Sequence, residues 1–199
     1  MSLSNFSEAY PELCERLLQT RRSDRIGHAY LFVGDDIDFL EEFARAWIQV
    51  CACQSPQTTG ESCGDCGPCR QFAKGVYPEL QVLQPSSKSR RILVGDMREF
   101  EHQISLTVQR GRLKAGLIVE ADRLNEAAQN AFLKTLEEPP KRSMLVLVTT
   151  QPRGLLPTIR SRCQSVSLLK NRRSYNAAAE HGVFKILAHL GRGQGPHFG

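Results

Sequence analysis

Apolar residues along this chain fall into short continuous runs that alternate with helix-spaced stripes. Leu13, Leu17 and Leu18 recur at helical spacing behind Pro11, whose fixed φ suits a first helical turn, so residues 11–20 are expected to form a helix. Ala29-Tyr30-Leu31-Phe32-Val33 is a compact apolar run stopping at Gly34 and reads as a buried strand. Residues 37–50 return to helical spacing, with Phe39, Phe43, Trp47 and Val50 on one face and Leu40 and Ala44 beside it. Residues 80–83, 117–119, 145–148 and 165–168 are further strand candidates, and 145–148 is the most apolar of them. Asp96 is placed to cap a helix carrying Met97, Phe100, Ile104 and Val108. Asn125 is placed to cap another that runs to Glu138, with Leu124, Ala128, Ala131, Phe132 and Leu136 on one face. Pro139 and Pro140 end it, because neither can donate a backbone hydrogen bond.

Short apolar strands alternating with helices predict an α/β fold, a parallel sheet covered by helices on both faces. No internal repeat is present. From Lys170 the character changes: residues 175–190 have helical character, and 191–199 are Gly-rich and read as a loose end. A core domain over 1–169 with a short extension over 170–199 is therefore expected.

Composition narrows this picture. With 199 residues, 41% hydrophobic and 24% charged, the chain can bury a real core and is not a disordered polyelectrolyte. No run approaches the roughly 18 apolar residues of a membrane helix. Met1 to Asn5 lack a basic region followed by an apolar run, so no secretory signal is expected. The net charge of +5 permits contact with nucleic acid without requiring it. Lys88, Arg90 and Arg91 form a basic loop that suits either a DNA backbone or plain solvation. Seven cysteines, three of them at two-residue gaps, suit a metal site in a reducing, cytoplasmic setting better than a disulfide framework.

Strand, glycine and helix in that order are the setting of a phosphate-binding loop, which needs Gly-x-x-x-x-Gly-Lys-Ser/Thr. Laid on Gly34, that template puts Phe39 at the second glycine, Leu40 at the lysine and Glu41 at the hydroxyl. Asp35, Asp36, Asp38, Glu41 and Glu42 crowd the same stretch and would repel a phosphate. The element is either a nucleotide site that has been disabled or simply a well-capped helix. A divalent ion on Asp36 and Asp38 is a third reading, weakened by the missing glycine and distal glutamate of a calcium loop.

Residues 51–69 have no periodicity and read as an inserted module. Cys63, Cys66 and Cys69 are spaced so that their thiolates converge on one ion, and glycines allow the tight turns. Cys53 is preferred to Cys51 as the fourth ligand, with Cys51 packing at the helix end. Structural zinc is the expected occupant, ahead of an iron–sulfur cluster or free thiols. Cys14 and Cys163 are isolated and read as packed.

Several segments together carry a family likeness. They are Gly27-His28-Ala29-Tyr30-Leu31-Phe32 and the cysteine module. The run Leu136-Glu137-Glu138-Pro139-Pro140, then Leu147-Val148-Thr149-Thr150, and Ser161-Arg162-Cys163 complete the set. Over roughly 10–169 the chain resembles the AAA+ clamp-loader subunits of bacterial DNA polymerase III, the gamma/tau and delta-prime proteins. The resemblance implies an AAA+ type sheet with an inserted zinc-binding module and a place in a ring that loads the sliding clamp on primed DNA. Gamma/tau and delta subunits would be its partners. The lost phosphate loop points to the delta-prime type, which often does not hydrolyse ATP. Val119 also stands where active members carry a magnesium-binding Asp, although the following Glu120 survives. No ATP is expected on this chain, and it is not expected to be an enzyme by itself. Arg162 of the Ser-Arg-Cys triplet matches the arginine that reaches in trans to a neighbour's ATP. The resemblance implies that a complete subunit continues past about Lys170 through a helical lid into a helical collar, so 170–199 is expected to be the start of that lid or a disordered tail, with the collar absent. An ATP-hydrolysing gamma/tau-type subunit and a zinc-dependent nucleic-acid-binding module are the alternatives.

Overall fold

The computed structural model describes residues 2–85, 90–106 and 113–169. Lys88, Val108 and the expected helix at 175–190 lie outside the described residues. In chain order the elements are α1 (Pro11–Arg22), β1 (Ala29–Gly34), α2 (Ile37–Ala52), α3 (Gly67–Ala73) and β2 (Leu80–Leu83). They continue with α4 (Val94–Ser105), β3 (Lys114–Ile118), α5 (Glu126–Glu137), β4 (Ser143–Thr149), α6 (Pro157–Arg162) and β5 (Gln164–Leu168). Short 3-10 turns at Leu3–Phe6, Ala121–Arg123 and Pro152–Gly154 link them.

The five strands form one sheet in the order β2-β3-β4-β1-β5, parallel at every pairing. The side-chain period of two divides its residues between two cores. Tyr30, Phe32, Met144, Val146 and Val148 face the layer of α1 and α2, where Phe43 and Trp47 are fully buried. Leu31, Leu145, Leu147 and Ile118 face α4, α5 and α6, against Phe100, Phe132 and Ile159. Gly116 on β3 is needed there. A Cβ at that position would lie 2.6 Å from Phe100 Cζ and 3.0 Å from Ile104 Cδ1, so α4 packs directly on backbone.

The structure corrects several boundaries. Asp96 is not the cap of α4 but sits in its first turn, where its carboxylate accepts the Leu93 backbone N–H at 2.9 Å. β3 begins at Lys114 rather than 117, and Val119 belongs to the turn beyond it. Lys114 is buried in spite of its charge because its Nζ donates to the Leu106 carbonyl at 3.0 Å. Asn125 does cap α5, accepting the Ala128 N–H at 2.8 Å, and Leu124 precedes the cap although it is buried in the same core. Helices α3 and α6 were not expected from the periodicity.

Candidate functional site

The carboxyl ends of parallel strands are where ligands settle in open α/β sheets. Here the β1–α2 connection is only Asp35-Asp36. The Asp36 carboxylate accepts the backbone N–H groups of Asp38 at 3.0 Å and Phe39 at 3.2 Å. Those amides are among the orphan donors that a phosphate would otherwise engage. Leu40, at the template's lysine position, is fully buried, and its Cδ2 lies 3.0 Å from where a Gly34 Cβ would stand. Glu41 is tied to Arg45, with Nη2 at 2.7 Å.

An open cleft of about 330 Å³ lies beside this corner, lined by Ile37, Asp38, Glu41, Gln84, Arg90 and Glu120. Glu120 and Arg90 both occupy the left-handed backbone region, at φ 50° and 51°. Arg90 Nη2 donates to both Glu120 oxygens, at 2.8 and 3.0 Å. Glu120 thus carries its own cation, a pairing with no signal in the sequence. Val119, the residue immediately before it, is buried in the α1–α2 core.

Arg162 closes α6. Its Nη1 donates to the Thr158 carbonyl at 3.0 Å, and its Nη2 lies 2.6 Å from Oε1 of Glu137 at the end of α5. Its side chain remains about one-third exposed. Arg160 is exposed. Gln129, 5% exposed, carries no signal in the sequence that sets it apart from other polar helix positions. Its Nε2 donates to the carbonyls of Leu124 and Gly154, each at 3.1 Å, and its Oε1 accepts the Leu156 N–H at 2.7 Å.

The cysteine loop runs from the C-terminus of α2 to the N-terminus of α3, with Cys66 at the N-cap of α3. The sulfurs of Cys53, Cys63, Cys66 and Cys69 all lie within 4.8 Å of one another. Cys63–Cys69 are 4.0 Å apart and Cys66–Cys53 are 3.9 Å apart. A tetrahedron of thiolates about 2.3 Å from zinc has edges of about 3.8 Å, so the donor set and its spread suit that ion. The Cys63 sulfur accepts backbone N–H groups of Asp65 at 3.4 Å and Cys66 at 3.2 Å, which lowers its pKa to about 6. Burial raises the thiols of Cys53 and Cys69, so without a cation they resist ionisation. Cys51 is buried on α2 outside the cluster, and burial raises its pKa. Cys14 is buried, and Cys163 is half-buried against the α4–α6 core.

The family model described as "DNA polymerase III, delta subunit" matches residues 9–172. The delta-prime subunit of DNA polymerase III from Pseudomonas aeruginosa is 38% identical over 136 residues, 68% of this chain and 41% of the relative. The delta-prime subunit from Bacillus subtilis is 32% identical over 170 residues, 83% of this chain and 49% of the relative. The chain thus spans about half or less of these relatives. In fold it is similar to a gamma subunit-related protein of DNA polymerase III from Thermotoga maritima. That likeness has a TM-score of 0.55 at 22% identity, covering 76% of this chain and 45% of that one.

Proposed function

This chain belongs to the DNA polymerase III delta-subunit family as a delta-prime-type clamp-loader subunit, and from that membership we propose that it is the non-hydrolysing member of the ring. On this reading it helps to place the sliding clamp on primed DNA beside gamma/tau and delta subunits, in the cytoplasm. It holds no ATP of its own and supplies Arg162 to the ATP site of a neighbour. The observation that carries the reading is the Asp36 cap: a carboxylate already satisfies the amides at the start of α2, and Leu40 is sealed into the core where a lysine is needed. Phosphoryl transfer depends on positioning and on charge neutralisation, and the position that the template gives to the lysine is held by Leu40, whose side chain is spent on the core. An arginine offered from outside stabilises the charge that develops on the transferred phosphoryl group.

The four cysteines Cys53, Cys63, Cys66 and Cys69 would hold one zinc ion. A closed four-thiolate site organises a loop and leaves no open position for catalysis.

Two measurements test the reading. Titration of the chain with magnesium ATP is expected to show no binding, and micromolar affinity would overturn it in favour of an ATP-hydrolysing subunit. Arg162→Ala in the complete subunit is expected to slow turnover at the site it serves by about 10³-fold without unfolding the chain. Unchanged turnover would remove the finger.

A further inference from the structure

Helix α6 has six residues, too few to hold itself as a helix, so its orientation comes from its neighbours. Both of its ends are tied to α5. At its start, the buried Gln129 side chain bonds the Gly154 carbonyl and the Leu156 N–H, fastening the turn from which α6 departs. At its far end, Glu137 grips the Arg162 guanidinium at 2.6 Å. Between them Ile159 is fully buried in the α4–α6 core. Glu137 and Arg162 are 25 residues apart, so their meeting is a product of the α5–α6 packing and not of local chain geometry.

We infer that Glu137 is a positioning residue for Arg162, orienting its guanidinium toward a phosphate held by the neighbouring subunit, while Gln129 fixes the helix that carries it. The inference rests on the reading of Arg162 as a finger in trans. A guanidinium has five N–H donors in a rigid plane. The Thr158 carbonyl and Glu137 each engage one nitrogen, leaving further N–H groups for a phosphate oxygen. A long, free arginine loses rotamer freedom when it engages the transition state. One already held by a carboxylate and a carbonyl has lost much of that freedom beforehand. The ion pair is solvent-accessible on both sides and contributes little to stability, so Glu137 should be visible in turnover and not in folding.

The test uses the complete subunit assembled with its ATP-holding neighbours, with each variant's melting temperature checked first. Glu137→Gln is expected to lower turnover at saturating ATP by about three- to fivefold, with KM and melting temperature unchanged. Glu137→Asp keeps the charge but withdraws the carboxylate by one methylene, and it should be as slow as the glutamine variant. Full recovery in the aspartate variant would mean that charge alone matters and would overturn the inference. Adding Glu137→Gln to Arg162→Ala should slow turnover no further, because the first residue acts only through the second. A further multiplicative loss in the double variant would also overturn it. Wild-type turnover in Glu137→Gln beside a slow Arg162→Ala sinks the positioning role and leaves the finger standing. Wild-type turnover in Arg162→Ala sinks the finger, and this inference with it.

Discussion

The two ends of α2 are finished by opposite means. At the N-terminus, Asp36 turns back on its own chain and satisfies the first free amides, so that end is complete with nothing added. At the C-terminus, the chain runs into Cys53 and from there into a loop whose four sulfurs gather within 4.8 Å. Burial raises the thiols of Cys53 and Cys69, so gathering four sulfurs there favours a cation that draws off their protons. One end meets its amides with its own carboxylate, and the other gathers four donors whose spread suits a cation. On the proposed function, the carboxylate is a lock as well as a cap, and the thiols order their loop through the ion they would hold.

Breaking the sulfur end should have the largest effect. Cys66→Ser, or chelation, is expected to take the zinc content from about one ion per chain to none and to expose the 53–66 loop to limited proteolysis. Structural zinc sites in small peptides bind with roughly 10–16 kcal/mol of apparent free energy, so loss of the ion removes the loop's main source of order. Metal analysis that finds none in the unaltered protein would erase the contrast altogether. Acid should act in the same direction. The Cys63 pKa is lowered to about 6, so the stabilisation from its thiolate is fully present above about 9 and is lost as pH falls through about 6. Zinc retention should decline with falling pH, never with rising pH over that range.

The cysteine end and the strands were legible in the sequence because their signals are local. Two-residue gaps bring the sulfurs of Cys63, Cys66 and Cys69 together with that of Cys53, and the apolar runs at 29–33 and 145–148 lie inside β1 and β4. Features that depend on packing between elements, or on a residue atypical of its place, have no such local signal. Lys114, a charged residue, is buried at the start of β3, where its ammonium donates to the Leu106 carbonyl at the end of α4. Glu137 and Gln129 look like ordinary polar helix positions until α6 is laid against them. Asp96 stands at a plausible cap, but a carboxylate in the first turn can serve the cap's N–H just as well, and the alphabet does not distinguish the two. Periodicity also misses α3 and α6, with seven and six residues, since neither spans two turns.

Breaking the carboxylate end should have a moderate effect. Asp36→Ala is expected to cost about 0.5–2 kcal/mol in chemical denaturation, the usual loss for removing an N-cap acceptor. It should not create ATP binding, because Leu40 remains in the core and no lysine replaces it. If magnesium ATP did bind the alanine variant at micromolar concentration, the cap alone would have been the lock.

The smallest effect belongs to the neighbouring Arg90–Glu120 pair, and it separates charge from backbone. The arginine side chain is 66% exposed, so Arg90→Ala should lose less than about 1 kcal/mol of stability. It should also leave the cleft more acidic, with Glu120 now uncompensated beside Asp38 and Glu41, so affinity for inorganic phosphate should fall or stay at zero. A gain in phosphate binding would mean that Arg90 had been plugging a usable site, and the self-closed corner would lose its meaning. Arg90→Gly removes the same ion pair but relieves a left-handed backbone at φ 51°, which costs a residue with a Cβ roughly 1 kcal/mol. Glycine should therefore be the more stable of the two variants. Equal stability would show that the turn pays no conformational penalty, and that the pair is held by charge alone.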